Sequence, residues 1–164
     1  MKIMSLDASS KSTGVAIFNN TDLIHYACIT ADSSDNIKRI QKMTAEINEL
    51  LKQYPVSKII MEEVLPEQGF RMQTHRILMW VQAAIAFMVH DNHPKVSIEY
   101  INSSSWRATC GIKTGGGIKR EELKKADIDF VKKTYNLDVN DDIADAIGIG
   151  HAHVYQSKNE INWG

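Results

Sequence analysis

Six carboxylates fall where a fold could gather them. Asp7 ends the apolar run Met4-Ser5-Leu6, Glu62 and Glu63 end the run Ile59-Ile60-Met61, and Asp141, Asp142 and Asp145 open a helical pattern near the end of the chain. An acid at a strand end has its backbone held by sheet hydrogen bonds while its side chain stands on the sheet face. Buried charge without a partner is costly, so such an acid is hydrogen-bonded, ion-paired or bound to a cation. The plain alternative for Asp7 is a residue that only opens a turn. On a helix, Asp142 and Asp145 are three apart and Asp141 and Asp145 four apart, so either pair shares a face and repels. A divalent cation relieves that repulsion, and Mg²⁺ takes carboxylate oxygen together with water and phosphate. Asp141 and Asp142 also suit a first helical turn, through capping and the macrodipole. Asp145 lies beyond the cap among Ile143, Ala144, Ala146 and Ile147, where an acid needs a reason. Neighbouring strand residues point to opposite faces, so at most one of Glu62 and Glu63 can join a cluster, and spacing leaves open which.

The elements that must carry these acids follow from periodicity. Asp7 stands at the mouth of a hairpin, where the small residues Ala8 to Ser10 follow it into a turn and Thr13-Gly14 turn the chain back into the sheet. Leu23 to Ile29 reads as a third strand, and Thr30 to Asn36 as a polar loop. From Ile37, apolar residues recur at Ile40, Met43, Ile47, Leu50 and Leu51, one face of an amphipathic helix that Tyr54-Pro55 ends. Ser57 to Val64 is a short continuous apolar strand of the kind covered on both faces. After a turn at Pro66 to Gly69, Ile77, Leu78, Val81, Ala84, Ile85, Met88 and Val89 define a second helix with a broad apolar stripe. Val96 to Ile101 alternates as a fifth strand. Asn102 to Gly117, with three consecutive glycines, reads as a polar and mobile segment. Glu121 to Tyr135 is helical, and Asn140 or Asp141 caps a last helix running to about Tyr155. This order predicts an α/β protein, with a mixed five-stranded sheet whose first three strands are antiparallel and whose faces carry helices.

With 164 residues, the chain fits one domain over 1–155, followed by a frayed tail at 156–164. At 43% hydrophobic and 24% charged it has a globular composition, and no apolar run approaches the roughly 18–20 residues that span a bilayer. Met1-Lys2-Ile3 enters a strand directly, without an apolar leader, which predicts a cytoplasmic protein. Cys28 and Cys110 belong to no C-x-x-C pair and suggest neither a disulfide framework nor a zinc site. His151 and His153 lie off the face of Asp145 and read as structural or exposed. The net charge is −1, yet between Lys95 and Lys125 seven basic residues (Lys95, Arg107, Lys113, Lys119, Arg120, Lys124, Lys125) face three acids (Glu99, Glu121, Glu122). Those around Gly115-Gly116-Gly117 could position phosphate, helped by backbone amides before the next helix; the alternative is a solvated loop. Trp106 with Arg107 could stack on or grip a nucleic-acid strand, or pack in the core.

The segments Asp7-Ala8-Ser9-Ser10-Lys11-Ser12-Thr13-Gly14, Ile60-Met61-Glu62-Glu63-Val64 and Asp142-Ile143-Ala144-Asp145-Ala146-Ile147-Gly148-Ile149 resemble, in order and spacing, the RuvC family of Holliday-junction resolvases. The shorter forms encoded by bacteriophages are the nearest kind, and the resemblance covers nearly the whole chain. It implies a ribonuclease H-like fold and a catalytic, metal-holding tetrad of Asp7, Glu62, Asp142 and Asp145, with Asp141 as cap or support. It further implies two Mg²⁺ or Mn²⁺ ions, roughly 3.5–4 Å apart and bridged by Asp7, that activate water and stabilise the leaving oxygen, giving a 5′-phosphate and a 3′-hydroxyl. DNA contacts would fall to Lys11, Trp106, Arg107, Lys113, Lys119, Arg120 and Lys124. The implied partners are four-way junctions, with forks and flaps as further branched substrates, and a second copy of the chain docked through the helix Thr74 to Val89. Two positions depart from the family. Ser9 replaces its usual glycine, and Leu65 stands where many members place a junction-wedging aromatic, with Phe70 farther along. The competing readings are a catalytically idle branched-DNA binder of the same fold and a phosphotransferase of the actin and sugar-kinase type. The latter would need a second phosphate loop that the chain does not show.

Overall fold

Alternation in the first strand divides its side chains: Met4 and Leu6 point to one side, while Ile3, Ser5 and Asp7 point to the other. A computed structural model, which describes residues 1–65 and 71–161, extends that division through the molecule. Its elements are β1 (Lys2–Asp7), β2 (Ser12–Asn19), β3 (Asp22–Thr30), α1 (Asn36–Gln53), β4 (Lys58–Glu62), α2 (Met72–Asn92), β5 (Ser97–Ile101), α3 (Ser103–Thr109), α4 (Arg120–Tyr135) and α5 (Asp141–Ile161). The strands form one sheet in the order β3-β2-β1-β4-β5. β1, β2 and β3 are successively antiparallel, while β4 runs parallel to both β1 and β5. This is the mixed sheet that the order of elements predicts.

One face buries Met4, Leu6, Val15, Ile17, Ile59 and Met61 against Ile40, Met43, Ile47 and Leu51 of α1 and Val81, Ile85 and Val89 of α2. The other buries Ile3, Ala16, Phe18 and Ile60 against Trp106 of α3, Val131 of α4 and Ala144, Ala146, Ile147 and Ile149 of α5. The unbroken apolar run of β4 thus serves both cores. Helix α1 starts where Asp35 accepts hydrogen bonds from the backbone N–H groups of Ile37 and Lys38.

Three expectations change. Ser103 to Thr109 is helical rather than irregular: Asn102 accepts from the N–H of Ser104 and caps α3, a helix of 7 residues too short to show an apolar stripe. Thr13 and Gly14 are not a turn but lie inside β2, with Gly14 opposite Asp7. The last helix continues past Tyr155 to Ile161; of the tail expected at 156–164, residues 162–164 lie outside the described residues, as do the turn at 66–69 and Phe70. Among the described residues, no helix is long and apolar enough to cross a membrane.

Candidate active site

Parallel pairing sets the first two acids side by side. Leu6 of β1 pairs with Met61 of β4, so Asp7 and Glu62, each one residue on, end neighbouring strands on the face that receives α5. Glu63 is exposed, and alternation turns it away from the face that Asp7 and Glu62 share. Two small contacts bring α5 down onto this edge. Ser5 Oγ donates to the Ala146 carbonyl at 2.6 Å. A Cβ on Gly14 would stand 1.8 Å from the Asp142 carbonyl oxygen, so only glycine lets the first turn of α5 lie against β2. Asn140 caps α5 by accepting from the N–H of Ile143 at 2.9 Å. The turn after Asp7 is tied by Ser9 and Thr13, with Ser9 Oγ donating to the Ser12 carbonyl at 2.7 Å and Thr13 Oγ1 to the Ser9 carbonyl at 2.7 Å. Ser9 is not among the described non-glycine residues with positive φ, Asn20 and Asn136, so this turn has no need of glycine there.

The electrostatics report the crowding. Burial pushes the Asp7 carboxyl well above the ordinary carboxylate range, and the charges of Glu62 and Asp142 push it further. Asp145 moves the same way, through burial first, then Asp7 and a hydrogen bond with Asp127, while Arg107 opposes the rise. Its Oδ1 is buried and has no hydrogen-bond partner among the described residues. Asp142 accepts from Ser12 Oγ, which also touches Cys28 Sγ at 3.1 Å. Asp141 turns away to pair with Lys124, whose hydrogen bond holds it below the usual range.

The arrangement collects Asp7, Glu62, Asp142 and Asp145 at one sheet edge and leaves Asp141 and Glu63 outside. Among the described residues, no group of three acid, His or Cys side chains is drawn together closely enough to hold a metal ion as it stands. The donor set nevertheless fits a hard divalent cation. It is made of carboxylate oxygens, two of its acids are held toward the protonated form by burial and mutual repulsion, and one buried oxygen lacks a positive partner.

The cationic candidates divide. Lys11, Lys113, Lys119 and Arg120 are exposed. Gly115, Gly116 and Gly117 all take positive φ, a backbone other residues resist, and they shape the loop between these cations. The amides before α4 are less free than expected, because Glu122 accepts the Lys119 N–H at 2.7 Å and Glu121 and Glu122 sit in the first turn. Two DNA-contact candidates are buried, and a third, Lys124, is partly exposed and paired with Asp141. Trp106 is 0% exposed, so its ring offers no face to a base. Arg107 is 8% exposed and forks onto Asp127, with Nε and Nη2 at 3.1 and 2.8 Å, which leaves it no surface with which to grip a strand.

Three supporting residues are not singled out by the sequence patterns. Gln82 of α2 donates to the Glu62 carbonyl at 2.7 Å, Ser12 holds Asp142, and Asp127, 1% exposed, holds Arg107. Two of them leave a trace. Gln82 interrupts the apolar face between Val81 and Ile85, and Asp127 falls at helical spacing between Leu123 and Val131. His151 Nδ1 lies 2.7 Å from Tyr135 Oη in an aromatic cluster, and His153 faces Glu99.

A family model described as crossover junction endodeoxyribonuclease RuvC matches residues 3–153. Among solved structures, RuvC of Thermus thermophilus in complex with a Holliday junction substrate is 13% identical, with a TM-score of 0.75 over 97% of this chain and 96% of that one. The yeast mitochondrial Holliday junction resolvase is 10% identical, with a TM-score of 0.63 over 98% and 82%. Fowlpox virus resolvase with Holliday junction DNA is 21% identical, with a TM-score of 0.53 over 94% and 99%. No curated protein matches the chain by sequence.

Proposed function

The chain belongs to the RuvC family of crossover junction endodeoxyribonucleases, and from that premise we propose that Asp7, Glu62, Asp142 and Asp145 form its catalytic site and hydrolyse phosphodiesters of branched DNA with divalent cations. The observation that carries this reading is the buried Asp145 Oδ1 without a partner, beside acids that raise one another's pKa. Mg²⁺ or Mn²⁺, two per site, would supply an activated water and a counter-charge for the leaving 3′ oxygen. The protein's own part is positional. Asp7, fixed at the end of β1, would hold the ions together with Glu62 of β4 and Asp142 and Asp145 of α5. Ser12 aims Asp142, and the small side chains of Ala8 to Ser10 keep the approach open to a phosphate. In-line attack would leave a 5′-phosphate and a 3′-hydroxyl.

Lys11, Lys113, Lys119 and Arg120 are the surface cations that would hold DNA phosphates. A second copy of the chain is the proposed partner. Met72, Met79, Trp80, Ala83 and Phe87 lie along one side of α2 and remain exposed, Phe87 by 72%, an apolar stripe suited to two-fold pairing of α2 with itself. Cutting both strands of a junction symmetrically requires two such sites.

The test is cleavage of a matched set of four-way junction, fork, flap and duplex DNAs. Paired nicks in the junction, strict dependence on Mg²⁺ or Mn²⁺, 5′-phosphate ends and dimeric sedimentation are expected. Tight junction binding without any nick in either metal would instead identify an idle branched-DNA binder.

A further inference from the structure

Two adjacent residues of α3 reach two different members of the tetrad. The Trp106 indole Nε1–H donates to Glu62 Oε2 at 2.7 Å. Arg107 Nη2 lies 2.8 Å from Asp127 Oδ2 and 3.7 Å from Asp145 Oδ2. The two side chains also brace each other, with the guanidinium carbon 4.2 Å from the Trp106 ring centroid. On its far side the indole lies against the backbone of α5, where a Cβ added to Gly148 would stand 2.5 Å from Trp106 Cζ3. Trp106 therefore spans from β4, which carries Glu62, to α5, which carries Asp142 and Asp145. Gly148 is three residues beyond Asp145, on the same helix face.

From this juxtaposition we infer that Trp106 and Arg107 are positioning residues for the metal site: Trp106 sets the orientation of Glu62 and its spacing from α5, and Arg107, held by Asp127, sets Asp145. A carboxylate on a strand end retains freedom about its side-chain torsions. An N–H from a fully buried ring packed against α5 and Arg107 restricts that freedom by engaging one of the two carboxylate oxygens. Arg107 does the corresponding work at Asp145. Its fork is occupied by Asp127, so it approaches Asp145 as a fixed positive charge at 3.7 Å, close enough to steer the carboxylate without a short ion pair that would compete with a metal. Asp127 completes the set by holding the guanidinium through its Nε and Nη2. This inference rests on the reading of the four acids as a metal site.

The test compares wild type with Trp106→Phe, which keeps most of the ring and loses the donor, and with Arg107→Lys, which keeps charge and loses the fork. Either variant is expected to need about ten-fold more Mg²⁺ for half-maximal junction cleavage, and to show a smaller rise in melting temperature on adding Mg²⁺ without DNA. Purely structural roles would lower the metal-free melting temperature and leave both metal readouts at wild-type values, which would overturn the inference. Should either variant fold poorly, ¹⁵N-Trp labelling of the wild-type protein gives the second measurement. The Trp106 indole N–H is expected to be protected from solvent exchange and to shift on Mg²⁺ addition, and a resonance that exchanges freely and ignores Mg²⁺ would also overturn the inference. If the wild-type protein shows neither cleavage nor stabilisation with Mg²⁺, it is the metal-site reading itself that fails.

Discussion

The two faces of the sheet are built from the same strands by opposite rules. Toward α1 and α2, the inward residues of β1, β2 and β4 are large and apolar, and the helices answer with Ile40, Met43, Ile47, Val81 and Ile85. Toward α3, α4 and α5, the same strands present Ser5, Asp7, Gly14 and Glu62, and the helices answer with Gly148, Gly150, Arg107, Asp127 and Asp145. The first face gains from hydrophobic burial and asks little of geometry. The second gives up part of that gain, because glycines admit close backbone approach and buried charges must be balanced group by group. Both faces bury an apolar core, and the proposed chemistry lies at one end of the second.

The sharpest test of that division is Asp7→Asn. Cleavage should fall by about a thousand-fold or more while junction binding persists, and the metal-free protein should melt several degrees higher, worth about 1 kcal/mol, because one of the mutually repelling acids is gone. The pH dependence fixes the cause. Asp7 and Asp145 are held above their ordinary values, so the native state binds more protons than the unfolded chain. Metal-free stability should therefore be complete at the acid end of the carboxylate range and fall as pH rises through the raised values. Thermal melts across pH should show a flatter slope in Asp7→Asn, and wild-type cleavage rates in that variant would end the assignment.

A smaller effect of the opposite kind is expected at Ile47, fully buried against the other face. Ile47→Ala should cost about 2–5 kcal/mol by chemical denaturation yet leave the Mg²⁺ concentration for half-maximal cleavage unchanged at a permissive temperature. A shift in metal dependence would show that the two faces are coupled.

The smallest effect carries the comparison to the surface beside α4. Replacing Lys119 and Arg120 by Ala should reduce the slope of log affinity against log salt by up to about two, with little change in cleavage at saturating DNA. An unaltered slope would remove both residues from the DNA interface.

The fold is legible in the sequence because helical spacing and apolar runs are local properties. The apolar positions from Ile40 to Leu51, and the unbroken run Ile59-Ile60-Met61 of a strand covered on both faces, each state their own burial without reference to the rest of the chain, while Ile37, on the same spacing, stays 53% exposed. Sequence reading also reaches the four acids, as an ordered set at strand ends and in one helical turn, although only resemblance to the RuvC family separates Glu62 from Glu63 at that level. What it does not reach are relations across the sheet. Trp106 and Arg107 look the same in sequence whether they face DNA or Glu62 and Asp145, and Lys124 looks free until α5 brings Asp141 beside it. Gly14 reads as a turn until the approach of Asp142 makes its missing side chain a requirement. Residue type and spacing determined which groups could act; the packing of α3 and α5 onto the end of the sheet decided which of them meet, because burial and pairing of charge are set by neighbours distant in the chain.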